Sequence, residues 1–277
     1  MHRWLQTGLI ALLLMGCGDR DNDSASTPSA AAPSTAAEST ADDSPIAAAL
    51  NDPQRLEGDA IDDAWRKPSE ILTLLEVRPG MRVLDYFAGG GYYTELLSRL
   101  VGPEGQVIAY NNEPYLKYAA DKPSQRYGNN RLPNVAQLTA APEDLPVEPQ
   151  SIDAALFVNA YHDLHWRSKD GSWPTTDSKI ALQKLAGALK PGAVVVVVDH
   201  VANAGSDPAV SVDALHRIDP EVIKRDFEAA GFVFETQSEA LRNPNDDHSM
   251  GVFDTTVRHK TDRVIYKFRK SPSTRSG

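Results

Sequence analysis

Apolar runs and amphipathic stretches alternate along most of this chain. Residues 81–87 form a short apolar run with one acid, Asp85, near its end. Gly89, Gly90 and Gly91 follow, and then Thr94, Leu96, Leu97 and Leu100 recur at helical spacing. The pattern predicts strand, tight glycine turn and helix. Further apolar runs predict strands at 105–110, 135–138, 152–158, 193–198, 232–236 and 263–268. Five consecutive valines lie within 193–198, as expected of a central strand buried on both faces. Residues 46–75 read as mostly helical, stopped by Arg78-Pro79-Gly80. A second helix, 180–189, is closed by Lys190-Pro191-Gly192, and a third, 220–230, has Asp219 as cap and Gly231 past its end. Strands alternating with helices predict an α/β fold with a doubly wound sheet. Two connections, 115–133 and 160–177, are polar and rich in Gly and Pro, and are expected as loops that can act as lids.

The first residues follow a different pattern. His2 and Arg3 precede the apolar run 9–15, which is too short for a membrane span. This reads as a secretory signal occupying 1–16. Its end, Leu14-Met15-Gly16-Cys17, resembles a bacterial lipobox. The resemblance implies cleavage before Cys17 and acylation of that residue, the only cysteine in the sequence. Several acyl chains on one residue anchor a protein firmly to a membrane. Gly18 follows Cys17 where inner-membrane retention favours Asp, so the expected address is the bacterial cell envelope, on the outer membrane and facing the periplasm. Residues 17–45 are rich in Ser, Ala, Thr, Pro and Asp and are expected as a tether. The folded domain should be 46–270, with a short tail at 271–277. A formal net charge of −10 argues against a nucleic-acid partner.

The turn itself suggests a ligand. Glycines let the backbone take positive φ and let a ligand come close, and a helix N-terminus presents free N–H groups. The stretch from Asp85 through Phe87, Ala88, Gly89 and Gly91 resembles motif I of the class I S-adenosylmethionine-dependent methyltransferases. Tyr161-His162-Asp163, His216-Arg217-Ile218-Asp219 and the run 241–248 resemble a narrower group of bacterial predicted methyltransferases. This implies a Rossmann-like, seven-stranded methyltransferase sheet ending in an antiparallel hairpin, with S-adenosyl-L-methionine as cofactor. By the same resemblance, Asn111 at the end of the second strand, with Glu113 beyond it, stands where the family binds ribose. Glu143 stands near the position that reads adenine. Phe87, Asn111 and Ala141 depart from the family pattern, and Asn111 also suits a simple turn.

The fourth strand should deliver Asn159, Tyr161, His162 and Asp163 to the transferred methyl. His162 is the expected general base with Asp163 orienting it; a structural cap or packing role is the alternative. The fifth strand ends at Asp199-His200, a loop is expected to follow it, and His200 and His216 extend the set. His and Asp there match a metal site in outline only, and no metal is expected. The expected protein is an exported, lipid-anchored methyltransferase for a small-molecule acceptor. The alternative is a non-catalytic small-molecule-binding lipoprotein that retains the fold.

Overall fold

Proline and glycine set the boundaries of the first elements. The computed structural model describes residues 44–272. The span 46–75 is three short helices, α1 (Pro45–Leu50), α2 (Asp59–Arg66) and α3 (Pro68–Leu75). Pro53 and Pro68 break the expected continuous helix, because proline has no N–H and clashes with the preceding turn. Lys67, just before Pro68, takes φ +50 at the junction.

The alternating pattern then builds β1 (Arg82–Tyr86), α4 (Tyr92–Val101), β2 (Gln106–Asn111), α5 (Glu113–Ala119), α6 (Lys122–Tyr127), β3 (Val135–Thr139) and β4 (Ile152–Val158). After them come α7 (Ser178–Ala188), β5 (Leu189–His200), α8 (Pro208–Leu215), α9 (Pro220–Ala229), β6 (Phe232–Ser238) and β7 (Arg263–Lys270). The seven strands pair in the order β3-β2-β1-β4-β5-β7-β6. β7 runs antiparallel to both β5 and β6, so it is the reversed strand of the closing hairpin.

Each face of the sheet carries its own core, as the two-residue period requires. Leu84, Tyr86, Phe157, Val195 and Val197 pack with Leu182 and Leu185 of α7 and Phe227 of α9. Val83, Leu156, Val194, Val196 and Val198 pack on the other face, with Leu72 of α3 and Leu96 and Leu97 of α4. The valine run is thus divided alternately between the two cores.

Three expectations change. The connection 115–133 is not a loop but carries α5 and α6. Pro114 and Pro123 sit in the first turns of these helices, where proline is tolerated, and the Asn112 side chain caps α5 by accepting from Tyr115 N at 2.9 Å. Helix α8 follows β5 where a loop is expected; Asp207 caps it on Ala209 N at 2.9 Å. Lys190-Pro191-Gly192 lies inside β5 and does not precede it, at an irregularity in the β4–β5 register where proline is permitted. The signal, Cys17, most of the tether and most of the tail lie outside the described residues. Among the described residues, no helix is long and apolar enough to cross a membrane.

Candidate functional site

A cavity of about 1060 Å³ opens at the carboxyl ends of β1, β4 and β5, the crevice where such sheets bind ligands. Its first half is the glycine turn. Phe87, Gly89 and Gly91 all have positive φ, +55, +54 and +79. Ala88 N donates to Tyr110 O at 2.9 Å, and Gly89 N to Asn111 Oδ1 at 2.8 Å, which ties the turn to β2. A Cβ on Gly89 would meet nothing within 4 Å, and Gly89 lines the cavity. On Gly91 it would run into the Tyr127 hydroxyl and stand 2.8 Å from Arg126 Cδ. The two glycines therefore serve different ends: Gly89 leaves room for a ligand, and Gly91 makes room for α6.

Asp85 lies buried beneath the turn and accepts from Thr94 Oγ1 at 2.6 Å. Burial pushes its carboxyl up to about 6, against the pull of the Thr94 hydroxyl. Phe87 stands where the family pattern has glycine. Its ring stacks on Tyr115 at 4.6 Å and Tyr110 at 5.4 Å and meets Trp173 edge-on at 6.2 Å. Arg126 bridges α6 to the turn and to α2, donating from Nε to Gly90 O at 2.6 Å and pairing with Asp59 at 2.7 Å and with Glu95.

The second half of the cavity is built on β4 and β5. His162 Nδ1 lies 2.7 Å from Asp199 Oδ1, and the backbone N–H of His162 donates to Asp199 Oδ2 at 2.8 Å. His162 Nε2 faces Asp163 Oδ1 at 3.5 Å, and Tyr115 donates to Asp163 Oδ2 at 2.5 Å. Burial works against charge on His162, but the two carboxylates outweigh it and raise its pKa to about 9. At neutral pH His162 is therefore an imidazolium, and it has no free lone pair with which to take a proton. The expected base is a fixed cation. His200 and His216 are the neutral imidazoles: burial and the charge of His162 hold His200 well below its usual value and His216 down to about 4. Burial also raises Asp163, partly offset by His162.

The charge on His162 has a consequence for stability. Its folded-state pKa lies above the ordinary 6.5, so its contribution is fully present below about pH 6.5 and is lost as pH rises through about 9. Urea titrations across that window should show stability falling with pH in the wild type. In Asp199→Asn the slope should flatten; an unchanged slope would show that the Asp199 contact does not hold the proton.

The predicted residues divide between the cavity and its surroundings. Asp85, Phe87, Ala88, Gly89, Asn159, His162, Asp163 and His200 line the cavity. Asn159 takes φ +54, and its Oδ1 is buried without a hydrogen-bond partner. Five others are not among its lining residues. Tyr161 points to α9, donating to Asp226 Oδ2 at 2.9 Å, and does not reach the site expected of a catalytic group. Asn111 is committed to Gly89 N, and Glu143 accepts from Asp177 N at 2.7 Å ahead of α7. Glu113 is exposed in the first turn of α5, and Gly91 packs on α6. Sequence reasoning missed the aromatic and cationic part of the wall. Trp166 and Trp173 stack at 5.0 Å, and His216 packs on Trp166 at 4.7 Å and Phe253 at 5.0 Å. Trp65, His259 and Arg263 line the side toward α2. The one local signal for these was two tryptophans in a polar connection. Among the described residues, no three His, Cys, Asp or Glu side chains are placed to hold a metal ion.

Residues 45–140 match the family model described as protein-L-isoaspartate(D-aspartate) O-methyltransferase (PCMT). The chain is 32% identical over 124 residues to the ubiquinone/menaquinone biosynthesis C-methyltransferase UbiE of Idiomarina loihiensis, covering 44% of each. It spans about half the length of the curated relatives it matches. Among solved structures, a SAM dependent methyltransferase from Aquifex aeolicus superimposes with TM-score 0.53 at 19% identity, covering 79% of this chain and 94% of that one. The [4+2]-cyclase SpnF does so with TM-score 0.54 at 17% identity, covering 76% and 81%. The fold is that of the α/β methyltransferases, with helices on a seven-stranded mixed sheet.

Proposed function

We propose that this protein is an S-adenosylmethionine-dependent methyltransferase acting on a small-molecule acceptor, exported and held at the bacterial outer membrane by an acylated Cys17. The observation that carries the enzyme reading is the open cradle at Gly89, beside Asp85 and the unpartnered Asn159 Oδ1, in one cavity with the His162–Asp163 group. Asp85, the Gly89 backbone, the aromatic wall of Phe87 and Tyr115, and Asn159 are the residues that fit the cofactor. When bound, the cofactor supplies an electrophilic methyl group. The family match at 45–140 spans this cofactor half, β1 to β3, and stops before the acceptor half. The UbiE relative's name refers to ubiquinone/menaquinone biosynthesis, which supports a small acceptor but does not name one.

On the chain's own side, the work is to seat the acceptor and take its proton. His162, already charged, holds Asp163 in place, and Asp163 is the proton acceptor. Its raised pKa makes it a better base than an exposed carboxylate, and the Tyr115 hydroxyl fixes its second oxygen. Asp163→Asn should lower turnover by ~10²–10⁴-fold and leave cofactor affinity unchanged.

Calorimetric titration of the purified protein with S-adenosylmethionine tests the reading. Saturable heat supports it. No heat at millimolar cofactor would turn the assignment to the non-catalytic binder, a reading favoured by Phe87 filling the place of a family glycine. The anchor is tested separately: Cys17→Ser should move the protein from the membrane to the soluble fraction, and persistence in membranes at unchanged mass would end the lipobox reading.

A further inference from the structure

Arg263 begins β7, on the strand that pairs with β5, and stands opposite His200 in register. It is 3% exposed and lines the cavity. Its Nη2 donates to Trp65 O at 2.6 Å, and its Nε is buried without a partner. Among the described residues, no carboxylate lies within ion-pair distance of it. Every other deeply buried arginine described here is compensated: Arg217 by Asp246, and Arg126 by Asp59 and Glu95. Burial brings its pKa down to about 10, so it keeps its charge at neutral pH. A buried, uncompensated guanidinium is costly unless an anion reaches it. The cavity is where one can.

We propose that Arg263 is the anchor for a carboxylate carried by the acceptor, so that the substrate class is a small aromatic or apolar acid. The aromatic part of the assignment comes from the neighbours. Trp65 lies 5.6 Å from the guanidinium and stacks edge-on with His259 at 4.2 Å; Trp166 and Phe253 also line the cavity. The strand that carries Arg263 is set apart from the strand that carries the glycine turn. In the order β1-β4-β5-β7, its strand lies three steps from β1, about 14 Å at normal strand spacing. This deepens the methyl-transfer reading and rests on it for the word acceptor, but the carboxylate site can be tested without any turnover.

The probe is benzoate, with benzamide as its uncharged isostere, titrated into the full-length protein at neutral pH. Benzoate should bind about 10- to 100-fold more tightly than benzamide, the usual worth of a charge-assisted pair. Arg263→Met should erase the difference, and Arg263→Lys, with charge but no planar fork, should keep part of it. Equal binding of the two probes to the wild type overturns the proposal, and so does a preference that survives in Arg263→Met. If the methionine variant does not fold, the wild-type comparison and Arg263→Lys still decide. The remaining source of a carboxylate is the cofactor itself. If Arg263→Met loses affinity for S-adenosylmethionine but not for methylthioadenosine, which lacks the amino-acid carboxylate, the anchor belongs to the cofactor and the acceptor assignment falls. A protein that binds benzoate through Arg263 but gives no heat with S-adenosylmethionine keeps the acid site and loses the methyltransferase reading.

Discussion

Arg217→Met should cost about 3–5 kcal/mol of stability, the loss expected when one partner of a buried ion pair is removed. Arg217 is fully buried and forms a fork with Asp246, at 2.8 Å from Nη1 and 3.1 Å from Nη2. Two more of its donors are used: Nε reaches Met250 O at 2.8 Å, and Nη1 reaches Val201 O at 3.1 Å. Asp246 in turn accepts from the backbone N–H of Asp262 at 2.6 Å. The pair therefore ties the end of β5 to the polar turn that precedes β7. Methionine would leave the Asp246 carboxylate in the interior with backbone donors only. Urea unfolding measures the loss. The double variant Arg217→Met, Asp246→Leu should recover much of it, because the stranded charge is then gone. A single-variant cost below about 1 kcal/mol would mean that Asp246 finds another cation or reaches water. The neighbouring His216 lines the cavity, so the damage should reach the site as well.

Substitution at the glycine turn should separate binding from folding. Gly89→Val places its side chain in open cavity, so the protein should fold, at a strain of about 1–2 kcal/mol for a left-handed residue. The same side chain occupies the cofactor's approach, and affinity for S-adenosylmethionine should fall by ~100-fold or more, about 2.7 kcal/mol. Gly91→Ala should do the reverse. Its added methyl collides with the Tyr127 hydroxyl, and its φ is +79, so α6 must shift and stability should drop. Calorimetry and thermal unfolding on both variants give the comparison. Full cofactor affinity in Gly89→Val would remove the cradle from the argument.

Much of the fold was legible because its signals are local. A run of valines, a Pro-Gly stop and a glycine turn each act within a few residues, and their order along the chain implied a doubly wound sheet. The misread places are those where a local signal has two meanings. Pro123 helped mark 115–133 as a loop, yet it sits in the first turn of α6, and the connection also takes in most of α5, which the Asn112 side chain caps.

The sequence by itself determined that Asp85 and the glycines form a strand–turn–helix, and that His162, Asp163 and His200 lie at strand ends facing a crevice. Only the tertiary structure decided what those groups are. His162 is held as a cation by its neighbour Asp163 together with Asp199, which β5 brings beneath it from 37 positions away. Asn111 Oδ1 and Glu143 Oε1 are taken up by Gly89 N and Asp177 N, contacts that only the packed elements bring together. Arg263 meets the cavity because β7 returns antiparallel beside β5. Protonation, hydrogen-bond partners and unpaired charge depend on distances of a few ångströms between remote segments. Sheet register and helix packing set those distances, and no periodicity along the chain encodes them.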